Sequence, residues 1–74
     1  GRRGMKDKPL QDHTDEDIAE LDMPGLVTFA ERARGKARRM DIRSLDGART
    51  VSLLEDRAAQ AEAERRRRLE AARP

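Results

Sequence analysis

The stretch that decides the fold is residues 26–40, LVTFAERARGKARRM. Leu26, Phe29, Ala30, Ala33, Ala37 and Met40 fall at offsets 0, 3, 4, 7, 11 and 14. That spacing lays one apolar stripe along an amphipathic helix. Arg32, Arg34, Lys36, Arg38 and Arg39 occupy much of the remaining circumference. Gly35 interrupts the run at a cost of roughly 1 kcal/mol relative to Ala. It marks either a kink or a place where another backbone comes close.

Toward the N-terminus the helix meets Met23-Pro24-Gly25. Proline fixes φ and biases the preceding residue away from helix. The pair suits a type II turn, or Pro24 occupies the first turn of the following helix. Either arrangement changes the chain's direction. Before it, residues 15–22 predict a short helix. Thr14 with Asp17 has the form of a capping box, and Asp15, Glu16 and Asp17 crowd the first turn, where the helix dipole favours negative charge. Two turns are marginal alone, and Ile18 and Leu21 need a surface. A reversal at Pro24 would bring them to Leu26, Phe29 and Ala33. Residues 1–11 have two Gly, one Pro and no apolar period, and read as a disordered basic arm.

Toward the C-terminus, Ile42 and Leu45 lie in a connector with the turn and cap residues Ser44, Asp46 and Gly47. A last helix is expected near 48–72, starting somewhere between Leu45 and Ser52, with Ser52 and Glu55 in capping-box spacing. Glu62 with Arg66 and Glu64 with Arg68 are favourable pairs four apart. The apolar stripe thins after Leu54 to Ala58, Ala61 and Leu69, which describes a solvated or partner-bridging helix. The expectation is therefore an all-α chain of two or three helices, loosely packed or extended, in which residues 12–74 form one helical interaction region. No strand pattern and no internal repeat are present.

Composition limits what such a chain can do. Leu, Ile, Val and Phe make 12 of 74 residues, below the roughly 20% at which disorder becomes a serious option. Ordering a residue costs roughly 1–2 kcal/mol, so the apolar inventory predicts order that depends on a partner. Without Cys there are no disulfides or thiolate sites. No apolar run approaches the ~20 residues of a membrane span. The expected setting is the cytoplasm or the inside of a large particle. The net charge is only +2, but the signs are sorted into blocks. Asp12, Asp15, Glu16, Asp17, Glu20 and Asp22 form an acidic block. Arg32, Arg34, Lys36, Arg38, Arg39 and Arg43 form a basic one with only Glu31 and Asp41 inside it.

These features point away from catalysis. His13 is the only histidine. It stands with Asp12, Asp15 and Asp17 in what reads as an exposed cap region, not in the fixed three-ligand geometry that a catalytic zinc needs. Nothing builds an apolar pocket that would tune a carboxylate, so no catalytic residue, metal or cofactor is expected. The expected function is that of a non-enzymatic assembly or adaptor subunit docking on a larger complex. Leu26, Phe29, Ala33, Met40, Val51 and Leu54 would form its docking face. Arg32, Arg34, Lys36, Arg38, Arg39 and Arg43 would contact an acidic or phosphate surface. The alternative is an RNA- or DNA-binding regulator using the same basic helix, although no aromatic residue interleaves the arginines for base stacking. Residues 15–34 have the outline of a helix-turn-helix, but Leu26, Val27 and Phe29 are too apolar to open a recognition helix. The run Arg65-Arg66-Arg67-Arg68 is spread around its helix and diluted by Glu62, Glu64 and Glu70. Self-association through residues 51–72 as a homo-oligomeric coiled coil is a third reading, against which the thinning stripe counts.

Overall fold

A computed structural model describes residues 9–73. A 3-10 turn, Leu10–Asp12, leads into three α-helices: α1 (Asp15–Ala19), α2 (Met23–Arg39) and α3 (Leu45–Ala71). No strand occurs among the described residues. The long helices α2 and α3 pack on each other as an antiparallel hairpin joined by residues 40–44. The 3-10 turn and α1 lie across this hairpin, chiefly against α3.

Each helix start has a local cause. Thr14 accepts from the Asp17 N–H at 3.2 Å, and the Asp17 carboxylate accepts from the Thr14 N–H at 3.1 Å. The expected capping box is therefore formed. Pro24 does not break a helix. Asp22 is the N-cap, accepting from the Gly25 N–H at 2.8 Å, and Pro24 sits in the first turn, where its missing N–H costs nothing. The last helix starts at Leu45, at the early end of the expected range and before residue 48. Ser44 caps it and accepts from the Gly47 N–H at 3.0 Å. The nearer cap wins because Leu45 onward already contains residues that tolerate helix, and Gly47 fits the first turn.

The core is built from the α2 stripe and its α3 counterpart. Leu26, Phe29, Ala30, Ala33 and Ala37 of α2 meet Leu54, Ala58 and Ala61 of α3, with Ile18 of α1 closing one side. Five of these nine buried apolar residues are alanines, so the two helices can approach closely along a small-residue seam. The chain reverses before α2, as the sequence predicts. Ile18 joins the core cluster of Leu26, Phe29 and Ala33, with Leu21 packed at its edge, but α1 settles chiefly on the C-terminal half of α3. Arg68 draws it there, donating to the carbonyls of Ala19 and Leu21 at the end of α1. Cations are favoured at such carbonyl ends. The Arg57 guanidinium also lies 3.7 Å from Asp15.

Two expectations for the N-terminal region change. Residues 1–8 of the expected arm lie outside the described residues. Residues 10–11, assigned to that arm, belong to the folded part, because Leu10–Asp12 turns and packs on α2 and α3. His13 is not in an exposed cap. It is 6% exposed and stands edge-on to Phe29 with ring centroids 5.1 Å apart. Its Nδ1 donates to the Pro9 carbonyl at 3.0 Å; a carbonyl oxygen only accepts, so the ring proton sits on Nδ1.

Candidate functional site

The apolar residues expected to face a partner are used by the chain itself. Leu26, Phe29, Ala33 and Leu54 are buried in the hairpin core, and Met40 and Val51 are half-buried at its edge. In this fold the stripe offers no free docking face. The reason is geometric: α1 and α3 supply enough apolar cover to close it without a partner. The large apolar groups left outside are Val27, Ile42, Leu45, Leu53 and Leu69. Ile42 and Leu45 stand out, at 65% and 71% exposed, and both lie where the hairpin turns.

The six basic residues divide into two groups. Arg34 reaches across the hairpin to Glu62 in a two-pronged pair, Nε and Nη2 donating at 3.1 and 2.8 Å. That contact raises the Arg34 pKa and holds the Glu62 carboxyl below its ordinary value, the hydrogen bond being the larger cause in each case. Lys36 donates to Gln11 at 3.3 Å. Arg43 pairs with Asp41 beside it and stays almost wholly in solvent. Arg32, Arg38 and Arg39 are exposed and have no hydrogen-bond or ion-pair partner among the described residues. Arg49, at the start of α3, is likewise exposed and unpaired among them.

No family model, no curated protein and no solved structure matches the chain.

Two shallow grooves flank the hairpin. One, of about 370 Å³, lies between α1 and α3 and is lined by Asp15, Glu16, Ile18, Ala19, Gln60, Ala63, Glu64 and Arg67. The other, about 310 Å³, lies between α2 and α3 on Val27, Ala30, Arg34, Glu62 and Arg65. Both are open, and neither gathers a nucleophile with a base. Among the described residues no group of His, Cys, Asp and Glu could hold a metal, and no helix is long and apolar enough to cross a membrane. Sequence reasoning missed two structural roles, the burial of His13 and the reach of Arg68 to α1, and found Ser44 as a cap residue. Leu10 and His13, three apart, share one face of a helical turn, and that was the available signal for the first. Ser44 with Gly47 had cap spacing. Local spacing marks Arg68 only as the partner of Glu64, a pair the structure forms, because its carbonyl partners lie 47 and 49 residues away.

Proposed function

We propose that the chain is a non-enzymatic docking module: a folded helical hairpin that joins a larger protein assembly through the end where α2 turns into α3. The observation behind this reading is the exposure of Ile42 and Leu45, three residues apart at the turn. Five of the nine core residues are alanines, while these two aliphatic groups stay in water. Burying both against a partner is worth roughly 1.5–3 kcal/mol each. The total of roughly 3–6 kcal/mol is no more than the several kcal/mol that association costs in lost translational and rotational freedom. A stable complex therefore needs charge as well. Arg43 and Arg49 flank the pair, so the fitting pocket is apolar with an acidic rim.

The test is co-purification from the native source, comparing the parent chain with an Ile42→Ser/Leu45→Ser double variant and scoring protein and nucleic acid separately. Because both side chains already face solvent, the double variant should melt like the parent while losing its protein partner. A double variant that recovers the same partner in the same amount overturns the reading.

A further inference from the structure

We infer that the solvent face of α2 is a second, independent contact surface, one that takes the phosphodiester backbone of a nucleic acid. Arg32, Arg38 and Arg39 are exposed there and unpaired among the described residues, while their neighbours Arg34, Lys36 and Arg43 are each engaged within the chain. A guanidinium left out of the protein's own ion pairs keeps its full fork of donors for a phosphate. Arg32 and Arg39 are seven residues apart, about 10 Å along the axis, far enough to hold different phosphates of one strand. Gly35 lies between them, three residues from Arg32 and Arg38 and four from Arg39. Its outer surface is bare: a Cβ there would meet nothing closer than the Arg39 guanidinium at 3.9 Å. That recess lets a continuous anionic backbone lie against the helix. Side-chain carboxylates of an acidic protein would reach the arginines without it. Phe29, the only aromatic residue apart from His13, is in the core, so no ring on this face can stack on a base. Binding is then through phosphates and indifferent to sequence. The surface shares no residue with Ile42 and Leu45.

Fluorescence anisotropy of the full chain against a labelled duplex DNA and a labelled single-stranded RNA, each roughly 20 nucleotides long, reads this directly. Three phosphate contacts to the duplex give a slope of log affinity against log salt near −2.7, or roughly 40-fold weakening from about 50 to about 200 mM salt. Replacing Arg32, Arg38 and Arg39 by Gln should remove that slope, each arginine accounting for about one unit. Gly35→Glu should weaken binding with all three arginines intact, while circular dichroism shows the helix preserved. An Arg49→Gln/Arg65→Gln/Arg66→Gln control, stripped of the same three charges on α3, should bind nearly as the parent does, and the Ile42→Ser/Leu45→Ser variant should bind unchanged. Stronger binding to one of the two probes identifies the nucleic acid. The inference is overturned if neither probe binds at low salt. It is also overturned if the α3 control loses as much as the α2 variant, or if a polyglutamate peptide of matched charge competes as well as nucleic acid does.

Discussion

Gly35 and Gly47 are both helical glycines with ordinary negative φ, so neither is needed for backbone conformation, and only space distinguishes them. A methyl at Gly35 would face solvent. A methyl at Gly47 would overlap the Asp41 carbonyl oxygen and crowd the Ser44 hydroxyl at 3.0 Å, where the connector folds down onto the first turn of α3. Gly35→Ala should therefore stabilise the chain by about 0.5–1 kcal/mol, the ordinary helix-propensity gain. Gly47→Ala should destabilise it by about 1–3 kcal/mol, the usual range for forcing atoms into a packed site. Paired denaturant titrations check both, and a Gly47→Ala chain as stable as the parent would mean the connector is not held against the helix. The sequence showed Gly35 as the site of a kink or a close approach. The close approach belongs to Gly47 instead, which the sequence presented only as a turn residue.

Among the elements, α1 is the most weakly secured. Five residues cannot hold a helix by themselves. Its attachments are Ile18 in the core, the Asp15–Arg57 contact, and Arg68 on its last carbonyls. Arg68 is itself steadied by Glu64 at 2.9 Å. The Arg67 and Arg68 guanidiniums that hydrogen-bond Glu64 hold its carboxyl below the ordinary value. A carboxyl depressed in the folded state contributes stability above its unfolded pKa and loses it as pH falls through the folded value. Acid should therefore loosen Arg68 and with it α1; it also weakens the Arg34–Glu62 pair across α2 and α3, but that pair is half-exposed and adds little, so the buried alanine seam stays closed longer. Amide exchange followed from neutral pH down to about pH 3, below the usual carboxylate range, should show residues 15–21 losing protection before residues 26–37. Simultaneous loss would refute the separate release of α1. Much of this level was legible beforehand. The α2 stripe, the Thr14 box and the change of direction at Pro24 are local signals within a few residues, and all three appear in the fold. The docking face was misread because periodicity reports which side of a helix is apolar, not what covers it. Leu26 and Phe29 are covered from α3 and α1, through contacts that no local window contains.

Across the whole molecule, the unusual quantity is how little each buried residue weighs. Five of the nine buried apolar residues are alanines, which have no side-chain rotamers to freeze but also little surface to hide. The long arginine and glutamate side chains lie mostly in water already, so unfolding exposes little that was sheltered. Exposure of apolar surface is what raises the heat capacity on unfolding. Calorimetry should therefore give an increment below the usual ~12–15 cal/mol/K per residue, together with a broad transition. A sharp transition with an ordinary increment would contradict the alanine-based interior. A small increment flattens the curve of stability against temperature. Such a protein holds nearly the same modest stability from cold to warm, rather than peaking within a narrow range. With a small unfolding entropy as well, each kcal/mol gained or lost displaces the midpoint by more than the ~4–8 °C usual for a domain of this size. The close seam between α2 and α3 thus makes the chain tolerant of changing temperature and sensitive to substitution.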